Sequence, residues 1–432
     1  MEQLIVTGKT ILAGEVNIHG AKNAALPILC ATVLSRGSVT LYNVPKISDV
    51  SITLEILKFL GAKVHIDIIK NAITIDATEI YVDTVPVELV NQMRASILFL
   101  GGLVGRLGQV NIGYPGGCKI GARPIDLHLS GLEAIGVTIT EDEKGNIVAT
   151  GGSKLKGGIV DLRFPSVGAT QNIILGAVLA DGTTIIKGAA IEPEIIDMIY
   201  MLNNCGARIG VKGSTIVVQG VKEIGSGHHR IMSDRIVAGT YLAGAAITRG
   251  NIVIHGPEKI YMRSIIEPFE AMGMDISFDN DILIVKSGNL VAIDVVTMPH
   301  PGFPTDVGPQ LMTAMCFAKG VSTLEETLFE TRDKHVAELN KMGANITILE
   351  EFENTKKSTF IINQTKELYG GQTVYSKDLR GGAALVLAAM AAEGATVVQG
   401  YEYIARGYED IARDLNMLGA NIVVEQSKEI IA

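Results

Sequence analysis

The strongest constraint on how this 432-residue chain can fold is a repeat. In each copy a glycine precedes a short β-branched run. A charged or proline-bearing loop follows, then an amphipathic helical stretch, and a second glycine leads into another strand-like run. The copy opening at Arg36 reads RGSVTLYNVPKISDVSITLEILKFLGAKVHI, and the one opening at Glu393 reads EGATVVQGYEYIARGYEDIARDLNMLGANIVV. The opening glycines Gly37, Gly108, Gly182, Gly250, Gly320 and Gly394 recur roughly every 70 residues, and Gly61, Gly136, Gly206, Gly273, Gly343 and Gly419 close the copies. Between copies lie segments such as AKNAALPILCATVL and LRGGAALVLAAMAA, apolar on nearly every side, which predicts buried helices. Stretches of the EILKFLG type mix Lys and Glu with Leu and predict helices with one solvated face. The unit is therefore a mixed α/β element with one inner and one outer helix. Three copies close a small pseudo-symmetric domain, and the six copies make two.

Length gives the same division, because a chain this long exceeds what one hydrophobic core supports. Apolar residues make up 47% of the sequence, enough for two cores without a membrane. The longest apolar runs, 95–105 and 381–392, are flanked by Arg94, Arg106, Arg380 and Glu393 and are too short to span a bilayer. The N-terminus shows no basic-then-apolar leader and reads as two short strands around a turn, which predicts a cytoplasmic protein. A net charge of −9 argues against nucleic acid as partner, since phosphate neutralisation needs a basic face. Cys30, Cys118, Cys205 and Cys316 are widely spaced with no C-x-x-C, so neither a disulfide framework nor a structural metal is expected.

The chemistry concentrates in residues 114–131, YPGGCKIGARPIDLHLSG. Gly116 and Gly117 permit tight turns that place Cys118 on an exposed loop, and Pro124 suits a first helical position ahead of Ile125, Leu129 and Leu132 at helical spacing. Cys118 and Arg123 then precede a helix N-terminus, which favours an anion and a lowered thiol pKa. The bland alternative is a surface turn with an incidental cysteine.

Comparing the copies with one another adds a second signal. At the start of the outer helix they carry Asp49, Arg123, Glu194, Arg263, Arg332 and Arg406. Arginine is a poor choice there, where the helix dipole favours acids, so Arg123, Arg332 and Arg406 suggest that something negative is held nearby. Arg263 reads as a solvated arginine with no partner. Lys22, followed by Asn23 in HGAKNAALPILC, leads into an apolar helix, as does Arg94 ahead of SILFLGGLVG; each faces an anion or snorkels to water. Asp306, in the proline-rich MPHPGFPTDVGPQ, reads locally as the N-cap of the following helix, and His128 as structural.

Together, the six copies, PGGCKIGARPIDLHL, HGAKNAALP, FPTD, and DLR followed by RGYE resemble the UDP-N-acetylglucosamine 1-carboxyvinyltransferase family, the enolpyruvyl transferases that begin bacterial peptidoglycan synthesis, from about residue 3 to the C-terminus. The resemblance implies a two-domain inside-out α/β barrel with three copies per domain. One domain would be 22–232, with a Cys loop at about 114–124, and the other 1–21 plus 233–432, with ligands in the cleft between. It implies phosphoenolpyruvate and UDP-N-acetylglucosamine as substrates, no metal or organic cofactor, no obligate protein partner and a cytoplasmic location. By position, Lys22, Arg123 and Arg406 match residues that meet phosphoenolpyruvate, with Arg380 close by; Lys22 and Arg406 are also expected to take part in catalysis, and Arg332 to bind substrate. Asn23, Arg94, Arg123, Pro124, Ile125, Asp126, Leu127, Asp306 and the Leu328 backbone match nucleotide-sugar contacts, with Ser166, Val167 and Gly168 on the uridine. Cys118 matches the active-site cysteine, a proton donor to the methylene carbon and the target of the epoxide fosfomycin, and Asp306 would serve as base toward the 3′-hydroxyl. Phe164–Pro165 and Val237 depart from the family pattern.

Three other readings compete. An enolpyruvylshikimate-phosphate synthase shares the chemistry but lacks the Cys-loop motif. A paralogous transferase would act on another uridine nucleotide and would differ around Phe164. A non-catalytic UDP-N-acetylglucosamine-binding regulator would have no need to keep Cys118, Lys22, Arg123, Asp306 and Arg406 together.

Overall fold

Strand pairing follows the repeat. A computed structural model describes residues 2–117, 120–152, 154–350 and 357–426, and within them the strands form six four-stranded sheets. The chain divides into two compact units. The middle unit comprises Gly20–Cys118 and Pro124–Met232; the terminal unit comprises Met1–His19, Lys119–Arg123 and Ser233–Ala432. Each unit holds three sheets.

One sheet illustrates all six. Ser38–Tyr42, the opening strand of the first copy, pairs parallel to Gly227–Arg230 and antiparallel to Ala72–Asp76, which pairs antiparallel to Lys63–Asp67 beyond the outer helix. The sheet built on Val321–Glu326 repeats this order with Asp294–Val296, Ser358–Asn363 and Asn345–Glu350. In the sheet built on Ala395–Gln399 the third strand is Glu2–Thr7, which lies between Ala395–Gln399 and Asn421–Gln426. The N-terminus therefore supplies the return strand that the sixth copy lacks. The two N-terminal strands do not pair with each other, because Ala13–Asn17 lies parallel to Asn251–His255 in a different sheet.

The middle unit carries α1 (Lys22–Ala31), α2 (Ser48–Phe59), the single turn α3 (Val87–Val90), α4 (Leu98–Leu107), α5 (Asp126–Glu133), α6 (Val167–Ala177) and α7 (Pro193–Asn204). The terminal unit carries α8 (Arg235–Thr248), α9 (Lys259–Ala271), α10 (Gly308–Met315), α11 (Lys334–Lys341), α12 (Leu379–Ala391), the short α13 (Tyr401–Ile404) and α14 (Ile411–Met417). The inner helices are α1, α4 and α6 in one unit and α8, α10 and α12 in the other. Every residue of α8 is buried, whereas α9 buries Met262, Ile265, Ile266 and Phe269 and leaves its other face to water. Small side chains such as Gly239, Ala243 and Gly244 let the inner helices sit close together. A methyl group at Gly239 would come within 3.2 Å of Val307.

Each outer helix ends in the same way. The closing glycines Gly61, Gly136, Gly206, Gly273, Gly343 and Gly419 all adopt positive φ, from 92° to 108°. The next N–H then reaches back five residues, as in Ala62→Leu57 (2.9 Å), Ala207→Leu202 (3.0 Å) and Ala420→Leu415 (3.0 Å). In three copies an asparagine three residues before the glycine grips the closing strand: Asn203, Asn340 and Asn416 bond both backbone groups of Ile209, Ile346 and Ile422. No helix among the described residues is long and apolar enough to cross a membrane.

Candidate functional site

In the terminal unit the sequence-predicted Asp306, Arg332 and Arg380 come together although they are far apart in sequence. Asp306 sits in the single 3-10 turn Thr305–Val307 that enters α10. It caps neither that turn nor α10, so the N-cap expectation fails. Its carboxylate is taken by arginines instead: Oδ1 lies 2.8 Å from Nη2 of Arg332, and Oδ2 lies 3.4 Å from Nε of Arg380. Two guanidinium groups converging on one carboxylate outweigh a backbone cap.

Arg332 precedes α11 and is 5% exposed. Its Nη1 donates to Thr305 Oγ1 (2.9 Å), which donates to Glu326 Oε2 (2.6 Å). The other Glu326 oxygen accepts the N–H groups of Leu328 (2.8 Å) and Phe329 (3.1 Å). The Leu328 amide is thus committed within the protein, and a ligand contact at its backbone falls to the carbonyl. The Phe329 ring takes the guanidinium of Arg332 at 5.4 Å and that of Arg123 at 5.6 Å. Arg123 itself adopts φ 44°, a left-handed conformation unusual for a residue with a side chain. The backbone beside it is tied to the same element by Thr331 N–H→Ile120 O (3.2 Å).

Arg380 is the second residue of α12, whose first turn is capped by Asp378 Oδ1 through the N–H groups of Arg380 (3.0 Å) and Gly381 (2.9 Å). It is 1% exposed, yet Nη1 and Nη2 make no hydrogen bond. Burial would lower its pKa, but Tyr408, Asp306 and Asp234 outweigh that and raise it, so the group stays charged. A buried cation with two idle donors is costly unless an anion arrives to take them. Behind the pair lies His335, also buried, its pKa pushed down to about 4 by burial and by Arg332 against Asp378 and Asp333; it is neutral at physiological pH. Arg406 is half-buried in the turn between α13 and α14.

In the middle unit, Lys22 opens α1 and is buried, with Nζ 2.8 Å from Oδ2 of Asp49 in the first turn of α2. Asn23 beside it is exposed. Arg94 begins the 3-10 turn Arg94–Ile97, and its Nη2 donates to the carbonyl of Pro124 (3.4 Å). Gly117 passes so close that a side chain there would come within 3.1 Å of the Arg94 nitrogen. Pro124 is not the first helical residue. Ile125 precedes α5 with φ −106°, and Asp126 is the first residue of the helix. Asp126 pairs with Arg163, whose hydrogen bond holds its carboxyl below the usual range despite partial burial. Ile125 is buried, Leu127 half-buried. Ser166 caps α6 by accepting from Ala169 N–H (3.3 Å), with Val167 and Gly168 following in the first turn. Only glycine fits at 168, where a methyl group would lie 2.8 Å from Cε1 of His128. His128 is buried, with Nδ1 3.1 Å from Asn172 Nδ2.

Cys118 falls outside the described residues. Arg263 is exposed as expected but does have a partner, Glu267, at 2.6 Å one helical turn on. Among the described residues no group of three or more His, Cys, Asp or Glu could hold a metal ion. Sequence reading missed Phe329 and Tyr408 as supports of the arginines. Tyr408 stands two residues after Arg406 in RGYE, so proximity was a usable signal; nothing in TLFETRD marks Phe329.

Comparison with known proteins agrees with this geometry. The chain is 45% identical over 98% of its length to UDP-N-acetylglucosamine 1-carboxyvinyltransferase 1 of Staphylococcus epidermidis, covering 99% of that protein. It is 44% identical to UDP-N-acetylglucosamine 1-carboxyvinyltransferase 2 of Carboxydothermus hydrogenoformans, again over 98% of this chain and 99% of that one. Among solved structures, the enolpyruvyl transferase NikO from Streptomyces tendae superposes with a TM-score of 0.88 at 23% identity, covering 99% of both chains. EPSP synthase from Acinetobacter baumannii superposes with a TM-score of 0.75 at 21% identity, covering 99% of this chain and all of that one, so the fold is shared. Matched from residue 6 to residue 415 by the family model described as EPSP synthase (3-phosphoshikimate 1-carboxyvinyltransferase), the chain belongs to that family of enolpyruvyl transferases.

Proposed function

We propose that this enzyme transfers the enolpyruvyl group of phosphoenolpyruvate to the 3′-hydroxyl of UDP-N-acetylglucosamine and releases phosphate, the step that opens peptidoglycan synthesis. The relatives at 42–45% identity carry the name of that activity. The observation that carries the reading in this chain is Arg380, buried and charged with both terminal nitrogens idle beside Arg332 and Asp306. Such a socket suits an oxyanion, and phosphoenolpyruvate brings a carboxylate and a phosphate close together.

That placement and the resemblance by position support the following roles. Lys22, Arg123, Arg332, Arg380 and Arg406 would take the two anionic groups of phosphoenolpyruvate. Asn23, Arg94, Pro124, Ile125, Asp126, Leu127, the Leu328 carbonyl and Asp306 would meet the nucleotide sugar, with Ser166, Val167 and Gly168 toward the uridine. The 3′-oxygen bonds to C2 of phosphoenolpyruvate as Asp306 takes the hydroxyl proton and Cys118 gives one to C3, making a methyl group. Removal of a methyl proton then re-forms the C2–C3 double bond and expels phosphate. Each step balances without redox chemistry. The guanidiniums on Asp306 hold its carboxylate in place, so orientation is part of its contribution. Both substrates are made inside the cell, so the cytoplasm is the expected compartment.

The test is phosphate release. Purified protein should liberate phosphate from phosphoenolpyruvate only when UDP-N-acetylglucosamine is present. Release driven by shikimate 3-phosphate instead, or no release with either acceptor, would overturn the reading.

A further inference from the structure

Tyr408 is 1% exposed, in the turn between α13 and α14. A phenol so buried needs a hydrogen-bond partner, and it finds one on α8: its hydroxyl lies 2.7 Å from Thr240 Oγ1. Thr240 Oγ1 accepts from Tyr408, and its single proton goes to the Gln310 amide oxygen or to the Ile236 carbonyl 2.9 Å away. The Gln310 amide on α10 lies 3.2 Å from Thr240 Oγ1. With its nitrogen turned toward them, Gln310 donates to the backbone carbonyls of Asp306 and Val307, each at 3.2 Å. The phenol is thereby tied through α8 and α10 to the turn that carries Asp306.

The Tyr408 ring in turn lies against the Arg380 guanidinium, 5.5 Å from its centroid. Three things therefore hold Arg380: the Asp378 cap on its backbone, Asp306 on Nε, and the ring on the guanidinium face. None of them uses Nη1 or Nη2. Without the ring, the guanidinium could turn to make a bidentate pair with Asp306, which would consume the donors an anion needs.

We propose that Tyr408, anchored through Thr240, is a positioning residue that keeps the two terminal nitrogens of Arg380 available to an oxyanion of the substrate. This inference rests on the enolpyruvyl transfer proposed above. Its test compares Tyr408→Phe, which keeps the ring, Tyr408→Leu, which removes it, and Thr240→Val, which removes the anchor. Two readouts are taken on folded protein: steady-state kinetics, and the rise in melting temperature caused by inorganic phosphate.

Tyr408→Leu should raise the KM for phosphoenolpyruvate about tenfold or more and leave that for UDP-N-acetylglucosamine within about twofold. Tyr408→Phe and Thr240→Val should show a smaller rise of the same selectivity. Phosphate should stabilise the wild type more than Tyr408→Leu. Equal phosphate stabilisation in both proteins, or parallel rises in both KM values, would overturn the inference and leave Tyr408 a packing residue. If Tyr408→Leu does not fold, the Tyr408→Phe and Thr240→Val pair decides on the same criteria. A wild type that releases no phosphate would sink the functional reading, while the phosphate-stabilisation arm would still decide the role of Tyr408.

Discussion

Cys30, Cys205 and Cys316 are buried. Cys30 lies inside α1 and Cys316 at the end of α10, where removal from water raises both thiols, Cys316 to about 12 and Cys30 further still. Burial also raises Cys205, at the end of α7. A raised thiol is protonated at neutral pH, and only the thiolate is a good nucleophile, so these three should be inert. Cys118 follows two glycines and precedes Arg123, a setting that favours the thiolate in the free protein, whereas the arriving anionic substrate favours the thiol that donates a proton. Treatment with the epoxide fosfomycin should therefore label Cys118 alone, and Cys118→Ser should lose both the label and most turnover. Mass spectrometry finding the adduct on Cys30, Cys205 or Cys316 would refute this assignment. Several residue-scale readings came from pattern alone: Lys22 and Arg332 stood out as cations at helix starts, and both are buried in ion pairs. The partner of each was not legible, because Asp49 and Asp306 are brought in by folding over distances that no local pattern records.

At the scale of elements, the closing glycines are where sequence and backbone agree most closely, since all six take the positive φ that the helix ending requires. Two of them separate conformational strain from steric clash. At Gly206, φ 108°, an added methyl group meets nothing within 4 Å; at Gly61, φ 107°, it would lie 2.8 Å from the Glu79 carbonyl and 3.0 Å from the Tyr81 ring. Gly206→Ala should cost about 1–3 kcal/mol through strain alone, and Gly61→Ala should cost more. Denaturant unfolding followed by circular dichroism checks this, and an unchanged midpoint for Gly206→Ala would contradict it. Two element-level expectations failed for tertiary reasons. Pro124 lies outside α5 because the chain enters that helix only at Asp126, with Ile125 still non-helical. Asp306 caps nothing because two distant guanidiniums compete successfully for its oxygens.

Across the whole molecule, the terminal unit depends on both chain ends. Glu2–Thr7 is an inner strand flanked by Ala395–Gln399 and Asn421–Gln426, with Leu4 and Val6 fully buried. Removing residues 1–7 would strip both neighbours of their ladder partner and open the core beneath them. Hydrogen exchange should then show lost protection in 373–399 and 421–426, while the sheets of the middle unit stay protected; full protection in the truncated protein would overturn this.

The sequence by itself determined the α/β class, the six copies, the inner and outer helices and the glycine that ends each outer helix. Those features arise from local physics repeated along the chain: hydrophobic period, side-chain size and backbone freedom. It also singled out the basic residues, because a cation at the start of an apolar or outer helix goes against the dipole and the cost of burial. Only the tertiary structure decided that Asp306 joins Arg332 and Arg380, that Phe329 and Tyr408 provide the rings beneath the arginines, and that the N-terminal strand completes the sixth sheet. Apart from Phe329 and Arg332, which are three residues apart, these are contacts between residues distant in sequence, set by how three copies pack around shared inner helices. A one-dimensional pattern carries no record of which copy will meet which.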